Sequence, residues 1–104
     1  MSPVGREAVR ALSRAAFRQD YRLEMMVAIA DSTDGIVCLT DLARSLDVSM
    51  SNLQVPLKNL LALGLITQLP RGDSRRKYYM RNPSSAWDWA RELAASVHIA
   101  TPQR

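Results

Sequence analysis

Nine side chains between positions 51 and 77 have the types and spacing needed to grip a polyanion and read along it. Ser51, Asn52, Gln54, Val55 and Lys58 fall within eight consecutive positions, and Arg71, Arg75, Arg76 and Lys77 within seven. Asn52 and Gln54 are amides able to pair with base edges, Ser51 can reach a base or a phosphate, and Lys58 suits a phosphate. Arg75 or Arg76 could enter a narrow minor groove, where the negative potential is enhanced, with Asp73 holding one guanidinium in place. Each of them also has a plainer reading as a solvated polar group on the surface.

Such a set is useful only if rigid elements carry it. Thr40-Asp41-Leu42-Ala43-Arg44-Ser45-Leu46 predicts a short helix, with Thr40 as N-cap and Leu42, Ala43 and Leu46 turned inward. After a break at Asp47-Val48-Ser49, a second helix is expected over about 50–63. Its candidate N-cap is Ser49, with Ser51 and Asn52 as alternatives. Leu53, Leu57, Leu60, Leu61 and Gly64 form its inward stripe, and Gly64 suits its C-terminus. Residues 65–69 read as a strand, 70–74 as the tip of a hairpin and 76–81 as the returning strand with Tyr78 and Tyr79. Two amphipathic helices across a three-residue turn, then a strand pair with a cationic tip (the wing, 70–81), are the parts of a winged helix-turn-helix.

Pro56 is the odd residue in this scheme. If the second helix starts at Ser49 or Met50, the proline removes a hydrogen bond to the Asn52 carbonyl, at a cost of roughly 3 kcal/mol, and kinks or shortens the helix. If the helix starts nearer Leu53, the same proline falls in the first turn and is tolerated.

Upstream, residues 6–18 read as a first helix, with Ala8, Val9, Leu12, Ala15 and Ala16 at helical spacing, and residues 21–31 as another. Asp34-Gly35 supplies a turn, and Ile36-Val37-Cys38-Leu39 is β-prone. Arg6, Arg10, Arg14, Arg18 and Arg22 form a row on a helix surface. The row is a solvated face compensated by Glu7, Asp20 and Glu24, or a flanking contact to phosphates. Downstream, Ser84 or Ser85 can cap a last helix over about 85–97. Trp87 and Trp89 must point to different sides of it, one covering the domain and one needing a second surface, for which a partner subunit is the candidate. Leu12, Ala16, Trp87, Trp89, Leu93 and Val97 are the residues expected at that dimer interface.

At 104 residues and 47% hydrophobic content the chain is sized for one domain, with a core over about 20–82 and flanking helices at either end. The expected class is mainly α with a small β-hairpin. A net charge of +4 favours polyanionic partners. No apolar run approaches bilayer length and the first residues lack the hydrophobic stretch of a secretory signal, so no membrane partner and a cytoplasmic location are expected. One cysteine and one histidine, with no Gly-rich phosphate loop and no clustered carboxylates, leave no recognisable catalytic set and no expected cofactor.

The stretch Leu46-Asp47-Val48-Ser49, through Leu57-Lys58-Asn59-Leu60 to Gly64-Leu65-Ile66, resembles the recognition helix of the bacterial ArsR regulators and its exit. The wing Asp73-Ser74-Arg75-Arg76-Lys77-Tyr78-Tyr79 is closer to MarR-like and PadR-like proteins. The resemblance, over roughly 20–82, implies a homodimer that regulates transcription. Its recognition helix would lie in the major groove of double-stranded DNA, with the wing arginines against the minor groove or its phosphates.

Metal sensing of the ArsR type needs thiolates where this chain has Cys38-Leu39-Thr40-Asp41-Leu42, and a second ligand set where it offers Asp88 and His98; no metal site is expected. Cys38 reads as a small buried hydrophobe ahead of a redox switch. Resemblance to MarR proteins also brings in a small-molecule effector between the dimer helices and the DNA-reading unit. Met25, Met26 and the tryptophans could line such a pocket, though at helical spacing they fit plain core as well, and no ligand is assigned. The leading expectation is a sequence-specific homodimeric repressor. The alternatives are a winged-helix adaptor that binds another protein without specific DNA binding, and a sequence-tolerant DNA-packaging protein.

Overall fold

The computed structural model describes residues 3–70 and 75–100, with side chains over 5–70 and 75–97. Five helices and three short strands follow one another as α1 (Pro3–Phe17), α2 (Arg22–Ala30), β1 (Ile36–Cys38), α3 (Leu39–Leu46), α4 (Met50–Ala62), β2 (Ile66–Gln68), β3 (Tyr78–Arg81) and α5 (Ser85–Ala100). α2 is the hub and packs on α1, α3, α4 and α5. Its Leu23, Met25 and Ile29 are fully buried and Met26 is 2% exposed, which places these two methionines in the core. α3, its turn and α4 form the helix-turn-helix, and β2 and β3 form the base of the wing.

The strands make one antiparallel sheet in the order β1-β3-β2, with Cys38 opposite Tyr78 and Gln68 opposite Tyr79. The β-prone run at 36–39 thus serves as a third strand alongside the wing. Gly64, at φ +75°, ends α4. Leu65 N–H donates to the Leu60 carbonyl across it, the six-to-one bond of a left-handed helix stop.

Two capping expectations change. α3 starts two residues early, at Leu39, so Thr40 lies inside its first turn and Cys38 takes the N-cap position without a side-chain bond. Ser49 holds the N-cap position of α4 with extended backbone, but its hydroxyl pairs with that of Ser51 at 3.1 Å instead of capping. α5 is capped as expected, the Ser84 hydroxyl accepting the Ala86 N–H at 3.0 Å. Pro56 falls in the harsher of its two cases: α4 begins at Met50 and runs through the proline, whose buried ring joins the inward stripe. Burial of that ring offsets part of the lost hydrogen bond.

The arginine row is largely tied up within the protein. Arg10 meets the buried carboxylate of Glu24 at 2.5 Å and lies over the Tyr21 ring. Arg14 pairs with Glu7 at 3.1 Å and Asp20 at 3.5 Å, and Arg6 with Asp47 at 3.8 Å. The Arg22 guanidinium sits over the Phe17 ring, and desolvation draws its pKa down. The Arg10–Glu24 pair is asymmetric, because Glu24 is 2% exposed and Arg10 20%. Arg10→Met is therefore expected to cost about 2 kcal/mol by leaving a buried carboxylate short of its partner. Glu24→Gln, which leaves a cation able to reach water, should cost under about 1 kcal/mol. Urea unfolding checks this order, and equal losses would refute it.

Two further arginines close the C-terminus of α2. Arg81 donates to the carbonyls of Ile29, Ala30 and Ser32 at 2.7, 2.8 and 3.1 Å, and Arg91 to that of Ala30 at 2.6 Å. Cations at this end of a helix satisfy its open carbonyls and oppose its dipole. Asn82 joins the start of α5 to the exit of α4: its side-chain amide donates to the Gly64 carbonyl at 2.9 Å, and its backbone carbonyl accepts the Trp87 indole N–H at 2.7 Å.

Candidate nucleic-acid interface

α4 turns Leu53, Leu57 and Leu60 into the core, and the opposite phase of the helix is left outside. Ser51, Asn52, Gln54, Val55 and Lys58 are all exposed, Val55 to 59%. At the base of the wing Arg75, Arg76 and Lys77 are exposed as well. Arg71 and Asp73 lie outside the described residues.

The structure brings part of this set together. Gln54 and Lys58 on α4 face Arg75, Arg76 and Lys77 across a cleft of about 620 Å³. Ser51, Asn52 and Val55 are not among its lining residues and belong to the exposed surface of the same helix. The lining also includes residues that the sequence reading did not place at the site, among them Thr40 on α3, Met50 at the start of α4 and Gln68 on β2. Gln68 reaches the site only through its pairing opposite Tyr79, and nothing local in the sequence signals that register. Thr40 and Met50 touch, hydroxyl to thioether, at 4.0 Å.

A carboxylate does hold a wing guanidinium, and it comes from α3. Asp41 lies 3.5 Å from Arg76 and 3.8 Å from Arg44, and its charge raises the Arg76 pKa. Both partners of the Arg76 pair are about half exposed, so its contribution to stability is small. Its use is orientation, drawing the root of the wing toward α3.

Cys38, 2% exposed, lies beneath the cleft as a buried apolar residue. Among the described residues no group of three or more His, Cys, Asp or Glu side chains could hold a metal ion. Nor is any helix among them long and apolar enough to cross a membrane.

At the other end of the molecule the two tryptophans separate. Trp87 is 5% exposed and packs into the core of its own chain, so it has almost no surface left to offer a second copy, and its place in the expected dimer interface is withdrawn. Trp89 is 45% exposed, edge-on to Phe17 of α1 at 5.6 Å. Leu12, Leu93 and Val97 are half-buried and Ala16 is exposed. Between α1, α2, α3 and α5 lies a small crevice, about 170 Å³, lined by Arg6, Glu24, Val27 and Ala94 among others.

No protein-family model and no curated protein matches this sequence. Solved structures do match in shape. AbsC, a MarR family transcriptional regulator from Streptomyces coelicolor, superposes with a TM-score of 0.65 at 14% identity over 92% of this chain. NadR in complex with 4-hydroxyphenylacetate gives 0.64 at 20% identity over 93%. The chain spans 65% of the length of AbsC and 70% of that of NadR. The chain has the winged helix-turn-helix fold of a MarR family transcriptional regulator.

Proposed function

We propose that the protein binds double-stranded DNA sequence-specifically as a homodimer and regulates transcription, as a repressor. The observation that carries this reading is the placement of an exposed α4 face beside a cationic wing root. One cleft gathers Lys58, Arg75, Arg76 and Lys77, with no acidic residue among the described residues lining it. Cations there suit phosphates, and Asn52, Gln54 and Val55 suit base edges and thymine methyls. In this reading α4 enters the major groove and the wing arginines meet the minor groove or its phosphates.

The dimer follows from α1 and α5. Half-buried Phe17 and exposed Trp89 form an aromatic edge there, flanked by Ala16, Leu12, Leu93 and Val97, and a second copy would cover it.

The test is binding of purified protein to a palindromic duplex and to a random duplex, by fluorescence anisotropy at two salt concentrations. Salt-sensitive binding that prefers the palindrome supports the reading, and no binding to any duplex refutes it. Asn52→Ala and Gln54→Ala are each expected to lose about 1–3 kcal/mol of discrimination between the two, with random-duplex affinity little changed.

A second reading rests on exposed apolar residues on α4 and at its C-cap, Val55 at 59% and Leu63 at 62%. They suit a protein partner, and in that adaptor reading duplex DNA binds weakly and without preference.

A further inference from the structure

Arg6, Arg10, Arg14 and Arg91 each find a carboxylate within their own chain, and Arg22 does not. Its guanidinium is stacked on the Phe17 ring, but the buried Nε donates to nothing, and desolvation acts on the cation with no opposing charge beside it. A desolvated donor left without an acceptor is costly unless something else supplies one. On α5, Asp88 and Glu92 lie one turn apart on the exposed side of the helix, and among the described residues neither takes part in an ion pair. Asp88 adjoins the exposed Trp89, whose edge contact with Phe17 brings the two sets to one face: the cation on one ring, the carboxylates on the helix that carries the other.

We propose that Arg22 of one protomer pairs with the partner's Asp88 and the partner's Glu92, and that the same exchange runs in the other direction about the two-fold axis. This deepens the dimer of α1 and α5 proposed above and rests on it. A face that holds an unpaired cation and unpaired carboxylates beside one exposed tryptophan is complementary to itself, as a two-fold interface requires. Phosphate suits it poorly, because Asp88 and Glu92 repel a polyanion. Covering Trp89 removes water from around Arg22 and strengthens the pairing, and the guanidinium fork can serve more than one carboxylate. Where such pairs stay wet they add little affinity. Their larger effect is selection: a chain of the same fold with another charge pattern sets like charges against each other, so the exchange admits a second copy of this chain and turns others away.

Charge reversal tests this, by sedimentation velocity of the full chain over a concentration series. Arg22→Glu places an acid in the first turn of α2, where the helix dipole favours it, so the fold is not disturbed. That variant, and separately Asp88→Lys with Glu92→Lys, are each expected to weaken self-association by about tenfold or more, because like charges then meet on both sides of the axis. Mixed together, the two variants should form a heterodimer as tight as the wild type, since every pair is again opposite in sign. Misfolding of either variant gives no such rescue. The chain carrying all three substitutions should dimerise with itself and not with the wild type. A wild-type chain that is monomeric at every concentration overturns the dimer reading and the exchange with it. A dimer that tolerates both reversals, or folded variants that do not pair with one another, overturns the exchange and leaves the dimer. If Arg22→Glu keeps the dimer but weakens binding to a random duplex, the arginine serves phosphate and the exchange is again overturned.

Discussion

Arg75→Ala combined with Arg76→Ala is expected to weaken binding to every duplex, palindromic or random, by roughly a hundredfold per protomer, taking about 1.5 kcal/mol for each charge-assisted contact. Both side chains stand at the rim opposite Lys58, on a surface where the described lining residues include no carboxylate. In a dimer the two substitutions remove four cations. If all four meet phosphate, the slope of log K against log salt flattens by about 3.6, at about 0.9 per phosphate. Asp41→Asn acts in the opposite direction on random DNA, because the carboxylate 3.5 Å from Arg76 competes with phosphate for it. Anisotropy titrations across a salt series measure both effects. An unchanged salt slope in the double variant would show that the wing does not touch phosphate.

Leu60→Ala is expected to cost about 3–5 kcal/mol, the range for truncating a fully buried leucine whose surroundings cannot collapse. Leu60 is 0% exposed, and its carbonyl also accepts the Leu65 N–H that closes α4. Against a typical stability of about 5–15 kcal/mol this is a large fraction of the total. At roughly 4–8 °C per kcal/mol the melting temperature should fall by about 12 °C or more. Leu63→Ala, three residues on at a position 62% exposed, is the control and should stay within about 0.5 kcal/mol. Thermal and urea unfolding followed by circular dichroism distinguish the two. Similar losses at both positions would contradict the orientation of α4.

Elements whose signals are local were legible in the sequence. The leucine spacing of α4, Gly64 after it, the tyrosine-bearing return strand and the serine ahead of α5 all depend on residues within a few positions of one another. The separation of the two tryptophans followed from helical geometry alone, but which of them is buried did not. The Trp87 indole N–H meets the backbone carbonyl of Asn82, five residues before it, a group that every residue carries and no residue type signals. Arg81 and Arg91 offered no signal either, since their partner carbonyls on α2 lie about fifty and sixty residues away. In the candidate site the exposed face of α4 and the wing cations could be picked by type. Asp41, Thr40 and Gln68 could not, because only the β1-β3-β2 order brings their elements beside the wing. Thr40 also shows how a good capping residue yields when the strand before it pairs with another and hands the chain directly to a helix.

The wing behaves as a cantilever. Its root is clamped three ways: Arg81 is fastened to the end of α2, Leu69 N–H donates to the Tyr78 carbonyl at 2.8 Å, and β1 flanks β3 on the far side. Lys77 is the residue next to that clamp, and Arg76 and Arg75 follow immediately. Cations set so near a fixed root have little backbone freedom left to surrender. Ordering one residue's backbone costs about 1–2 kcal/mol, so a partner that meets them here is spared most of that expense. Loosening the clamp at Arg81 would then weaken binding through entropy alone, with every contacting side chain still present.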